Sequence, residues 1–187
     1  MELPQLKELN LYNLPKIVSI FPEIVTPKLE IMIVYTMMSL KEIWSCEITS
    51  SKEEVYNTIM LKQLCIGECL SLIVLFPIPV AKRLKKLEIL EVSWCLVLKS
   101  VVSDENREVG SRKFESLKSL SLYEVPELVS LCDHVNAMEL PQLVKLDLFQ
   151  LPNIVTIFPK VITPKERMNY LRIGKSKRLI LCQVKIY

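Results

Sequence analysis

The chain has 187 residues, half of them hydrophobic, a formal net charge of +3 and only three glycines. That length and apolar content suit one domain with a full core, and a charge of +3 is too small to indicate nucleic acid. Three glycines leave little from which to build a phosphate-cradling loop, and no GxxxxGK[ST], GxSxG or HExxH run occurs, so the chain reads as a non-enzyme with no cofactor.

Taken in order, apolar residues recur on one spacing. Counting from Leu6, they fall at offsets 0, 3, 5, 8, 11 and 15: Leu6, Leu9, Leu11, Leu14, Ile17 and Phe21. The ladder restarts at Leu29 (Met32, Val34, Met37, Leu40, Trp44), and Ser51-Lys-Glu-Glu54 in that repeat is a capping box that predicts a helix from about Lys52 to Met60. It restarts at Leu61 (Leu64, Ile66, Cys69, Leu72, Phe76), an apolar repeat expected deep in the fold, and at Leu87 (Leu90, Val92, Cys95, Leu98, Val102). The polar stretch 103–116 follows and is expected to be an exposed loop. The fifth start is Leu117 (Leu120, Leu122, Val125, Leu128, Cys132), with Asp133 placed to cap a helical turn through Met138. The sixth is Leu143 (Leu146, Leu148, Leu151, Ile154, Phe158), and the seventh, Met168 (Leu171, Ile173, Ser176, Leu179), is the weakest.

Seven starts near 6, 29, 61, 87, 117, 143 and 168 give a period close to that of a leucine-rich repeat (LRR), so residues 1–187 read as a single repeat domain. Offsets 3 and 5 are two apart and point to one face of an extended strand, while offsets 2, 4 and 6 point to the other. A single short strand cannot bury its leucines alone; stacked repeats can. The expected fold is therefore α/β: an LRR solenoid with a parallel sheet on the concave face and a mostly irregular, partly helical convex side. Amphipathic helices are excluded by Pro15, Pro126 and Pro152 at offset 9 and by Pro22, Pro77 and Pro159 at offset 16. The segment Leu3–Lys28 also returns as Leu140–Lys165 with 16 of 26 positions identical, a mark of internal duplication.

Offset 6 read down the stack gives Tyr12, Tyr35, Gly67, Ser93, Tyr123, Phe149 and Gly174. Two aromatic pairs, Tyr12/Tyr35 and Tyr123/Phe149, flank a gap at Gly67 and Ser93, with Trp94 beside it. Exposed aromatics on a rigid sheet are candidate anchors for a protein partner, and Glu91, Glu124 and Asp147 on the same side would orient basic groups. Cross-strand stacking that only stabilises the sheet is the alternative. Six cysteines contain no CxxC pair and the only histidine is His134, so neither zinc nor a Cys/His catalytic pair is expected. Thiols at core positions fit a reducing, cytoplasmic compartment. No leader is visible, and the most apolar segment, Cys69–Ala81, is too short to span a bilayer. The basic stretch 165–187 reads as a solvated face rather than a nucleic-acid or lipid patch.

The segments LKELNLYNLPKIVSIFP, LKSLSLYEVPELVSLC and LEILEVSWCLVLKSV, with Cys69 and Cys95 at offset 8, resemble the C-terminal LRR region of plant nucleotide-binding resistance proteins of the coiled-coil class. That resemblance implies a protein-interaction module that contacts a nucleotide-binding switch domain and senses a pathogen effector or a modified host protein. The chain has no nucleotide-binding domain of its own, which implies a fragment or truncated paralogue. The substrate-recognition LRR of an F-box-type ubiquitin-ligase adaptor also places Cys at offset 8 and is the alternative; repeat lengths from 23 to 32 favour the first. No small-molecule substrate is implied by either.

Overall fold

The computed structural model describes residues 5–21, 28–44, 58–102, 112–132, 138–154 and 170–174. Seven strands, Glu8–Tyr12, Ile31–Tyr35, Gln63–Gly67, Ile89–Ser93, Ser119–Tyr123, Lys145–Phe149 and Tyr170–Ile173, form one parallel sheet in chain order. Each of the first six covers offsets 2 to 6 of its repeat, and the register pairs equal offsets throughout, so Leu9, Met32, Leu64, Leu90, Leu120, Leu146 and Leu171 form one row. The seam between repeats is fixed at offset 1. There one carbonyl accepts two N–H groups from the next repeat: Lys7 from Glu30 and Ile31, Glu30 from Lys62 and Gln63, Lys62 from Glu88 and Ile89. The expected LRR solenoid with a parallel sheet is the fold observed.

The apolar ladder fills the interior. Offsets 0, 3, 5, 8 and 11 of repeats 2 to 6 are all buried, and each such side chain contributes on the order of 1.5–3 kcal/mol by leaving water. Leu9 and Leu11, expected to be buried like the rest, are only partly so, because Glu8–Tyr12 is the sheet edge and is covered on one side alone.

Offset 15 belongs to a strand of its own. Five short strands, Ser19–Phe21, Glu42–Trp44, Val74–Phe76, Ser100–Val102 and Ser130–Cys132, occupy offsets 13 to 15; the first two pair in parallel with each other, and the last three form a second small parallel sheet. The side opposite the large sheet is thus extended chain. Rings stack along it, with centroids 6.1 Å apart for Phe21 and Trp44, 5.6 Å for Trp44 and Phe76, and 6.1 Å for Phe76 and Phe114.

Helix among the described residues is confined to Ile78–Ala81, where Pro77 and Pro79 take early positions whose missing N–H costs nothing. Most of the helix expected at about 52–60 lies outside the described residues; the part within them, Thr58 to Met60, is not helical. The expected loop 103–116 ends sooner than its polar composition suggested. Its first part, 103–111, lies outside the described residues, but Arg112–Lys113 is a strand paired with Met138–Glu139, and Phe114 is buried in the ring stack. That same pairing places Met138 on a strand, not at the end of a helical turn, while 133–137 lie outside the described residues.

Candidate functional site

The open face of the seven-stranded sheet carries the side chains at offsets 2, 4 and 6. It is rigid because its backbone N–H and C=O groups are spent on neighbouring repeats. It is not uniformly open. Cys65, Ser121 and Asp147, at offset 4, are buried.

Tyr12 is exposed and stacks on Tyr35 with centroids 6.2 Å apart and ring planes 20° from parallel. Tyr35 in turn lies across Gly67, where a Cβ would collide with its ring. The expected gap between the two aromatic pairs is therefore filled: absence of a side chain at Gly67 is what lets the ring lie down. Burial pushes the Tyr35 phenol above its ordinary range. Phe149 repeats the device on Gly174.

Tyr123 and Phe149 belong to a second cluster that draws on three repeats. The Tyr123 hydroxyl donates to Asp147 Oδ2 at 2.6 Å, and Arg172 Nε donates to Asp147 Oδ1 at 2.7 Å. The Arg172 guanidinium carbon stands 5.6 Å from the Tyr123 ring centroid and 5.2 Å from that of Phe149, within cation–π reach of both. Asp147, expected to orient a partner, is instead buried with both oxygens engaged inside the cluster. Burial alone would push its carboxyl up, but the hydrogen bonds from Arg172 and Tyr123 outweigh that and hold it below the ordinary carboxylate value. Arg172 was legible only as part of a basic stretch; its place at offset 4 of repeat 7, beside Asp147 at offset 4 of repeat 6, was the signal for the pairing.

The remaining candidates stand apart from these clusters. Glu91 lies half-exposed in the offset-4 row between Cys65 and Ser121. Trp94 and Glu124 sit at offset 7, one residue past their strands, with φ of 50° and 51°. Every repeat from 1 to 6 has a non-glycine residue in this left-handed region at offset 7: Asn13, Thr36, Glu68, Trp94, Glu124 and Gln150. The conformation turns the chain off the sheet so that offset 8 re-enters the core, and the offset-7 N–H donates to the offset-6 carbonyl of the next repeat, as Trp94 does to Tyr123 at 3.0 Å. No glycine marks this bend among the described residues. Its consequence is that Trp94 projects at the sheet's margin, 45% exposed, rather than over the aromatic column.

Cys69 and Cys95, at offset 8, are fully buried and their thiols reach the carbonyls of Gly67 and Ser93 at 3.4 and 3.5 Å. Its hydrogen bond to Cys69, in which it is the donor, together with burial pushes the Cys95 thiol strongly up, which suits packing rather than nucleophilic chemistry. Among the described residues no group of three or more His, Cys, Asp or Glu is arranged to hold a metal, and no helix is long and apolar enough to cross a membrane.

Comparison with known families gives a match over most of the chain. The family described as plant disease resistance protein RPS2-like, leucine-rich repeats, matches residues 27–176. No curated protein and no solved structure matches the chain.

Proposed function

The chain belongs to the plant disease resistance protein RPS2-like leucine-rich-repeat family, and on that premise we propose that it works as the sensing and restraining repeat region of an intracellular immune receptor in the cytoplasm. Its partner is then a protein: a pathogen effector, a modified host protein or a nucleotide-binding switch domain. It binds and does not catalyse.

The observation that carries this reading is the ordered aromatic and arginine cluster on the sheet. Phe149 and Tyr123 are fixed beneath the Arg172 guanidinium, whose position is set by a buried carboxylate, and Tyr12 stands exposed on Tyr35 in the same column. Aromatic and arginine side chains held in one geometry lose little entropy on binding, and such residues dominate interfaces energetically. Cross-strand stacking stabilises the sheet at the same time and does not compete with this use.

The test is a pull-down from infected and uninfected plant tissue with the wild-type chain, with Tyr123→Ala/Phe149→Ala and with Tyr12→Ala, each first shown to unfold at a temperature close to wild type. Truncating a true anchor weakens binding by about 2 kcal/mol, roughly thirtyfold, so partners held by wild type should be lost from the double variant. Equal recovery of the same partners by all three proteins would remove the column from consideration.

A further inference from the structure

A second surface lies on the flank between the seven-stranded sheet and the short strands opposite it, where repeats 1 to 5 cross from offset 7 to offset 12. Away from repeat 1, the exposed large hydrophobic residues among those described fall almost entirely on this crossing: Met38, Leu70 and Leu96 at offset 9, Ile73 and Val129 at offset 12, and Trp94 at offset 7. The seam at offset 1, on the other margin of the sheet, differs in kind. It alternates Lys7, Glu30, Lys62, Glu88 and Lys118, with Glu30–Lys62 and Glu88–Lys118 ion pairs at 2.7 Å.

We propose that this apolar flank docks an amphipathic α-helix of a partner protein, laid along the stack and carrying acidic residues seven apart. Three observations select that occupant. First, the offset-9 row places one apolar side chain on each of repeats 2, 3 and 4, and parallel neighbours stand about 4.8 Å apart. A helix advances about 5.4 Å per turn and stays within about 1 Å of those rungs over three repeats. An extended chain presents the same face only every ~6.6 Å and falls out of step. Second, most of the backbone ladder at offset 12 is already used, with a break only between repeats 2 and 3: Lys41 N–H is bonded to the Val18 carbonyl at 2.9 Å, Lys99 to Ile73 at 2.9 Å and Val129 to Lys99 at 3.3 Å. The partner must be read by side chains. Third, the offset-12 row alternates Val18, Lys41, Ile73, Lys99 and Val129, all exposed, which sets two lysines two repeats apart in an apolar setting. At the spacing of the seven-stranded sheet two repeats span roughly 10 Å, and seven helical residues rise about 10.5 Å. Glutamates at i and i+7 beside a leucine face would meet both.

This surface is separate from the aromatic column and stands or falls independently of it. The probe is a 24-residue helical peptide with leucines at i, i+4, i+7, i+11 and i+14 and glutamates seven apart beside them, titrated against the whole chain. Blue-shifted Trp94 emission is the readout, with Trp44 buried and constant. The matched peptide should saturate the signal, while a scrambled peptide of the same composition should not. Leu70→Gln/Leu96→Gln, both on the surface, should weaken binding about tenfold or more. Lys41→Glu/Lys99→Glu should weaken it about fivefold and be rescued by the peptide with lysine in place of the two glutamates. Lys7→Ala, exposed on the opposite margin of the sheet, should leave it unchanged. Equal binding of matched and scrambled peptides, no binding of either, or indifference to the charge swap would overturn the proposal. So would a dimer in solution that Leu70→Gln/Leu96→Gln converts to monomer, since a second copy would then be the occupant.

Discussion

Repeats 1 and 6 are nearly the same sequence in two different places. Leu3–Lys28 and Leu140–Lys165 share 16 of 26 residues, yet Leu14 is 40% exposed where its counterpart Leu151 is 2%, and Ile17 is 38% exposed against 1% for Ile154. Neither propensity nor hydrophobicity separates them. The difference is the neighbour: Lys145–Phe149 lies between two strands of the sheet, whereas Glu8–Tyr12 has one. In a solenoid, burial is a property of the interface between repeats as much as of the repeat. The contrast extends to the open face, where Asn10 is exposed and its counterpart Asp147 is buried under Tyr123 and Arg172 from the repeats on either side.

The largest test of this contrast is a matched truncation. Leu151→Ala should cost about 2–5 kcal/mol because it opens a cavity in a packed interior, whereas Leu14→Ala at the same offset should cost under about 1 kcal/mol. Chemical denaturation of the two variants checks it; equal losses would mean that the edge repeat is packed like the centre. A smaller effect is expected at offset 4. Asp147→Asn gives repeat 6 the residue of repeat 1, and losing charge-assisted hydrogen bonds from Arg172 and Tyr123 should cost about 2 kcal/mol at neutral pH. The sign with pH follows from the depressed folded-state value of Asp147. The carboxylate's contribution is complete above the unfolded value of about 3.9 and is lost as pH falls through the lower folded value. The gap between wild type and Asp147→Asn should therefore narrow on acidification below about pH 4. Asn10→Asp, on the exposed edge, should stay within about 0.5 kcal/mol at any pH.

Much of the fold was legible because the ladder is a packing rule written directly in leucines. Offsets 0 to 11 predicted the sheet, its register and its buried rows. The strands at offsets 13 to 15 were not legible, since three residues such as Ser100-Val-Val are too few to show a period of two and are buried on both faces. The bend at offset 7 was hidden because glutamate, threonine and tryptophan occupy a conformation that ordinarily announces itself with glycine. At the candidate site the aromatic column was readable from spacing, but not that glycines would let Tyr35 and Phe149 lie across the next repeat, nor that Asp147 would turn inward to Arg172. Those features depend on which side chains meet between repeats, which a list of offsets in one repeat does not contain. The exposed flank is not legible in the sequence for a related reason. Prolines at offset 9 of repeats 1, 5 and 6 read as helix breakers, which masked Met38, Leu70 and Leu96 in the same row.

Hydrogen exchange on a chain with a second neighbour supplied decides whether a neighbouring repeat, rather than the local sequence, sets the burial of each ladder residue. Residues 117–139, which precede Leu140 and cover repeat 6, would be copied immediately ahead of Leu3, placing the same segment before repeat 1. Amide protection of Leu9 to Tyr12 should then rise to that of Leu146 to Phe149 in the same molecule, with protection of the central repeats unchanged. If Leu9 to Tyr12 exchange as fast in the extended chain as in the original, position in the stack governs burial neither in the core nor on the open face.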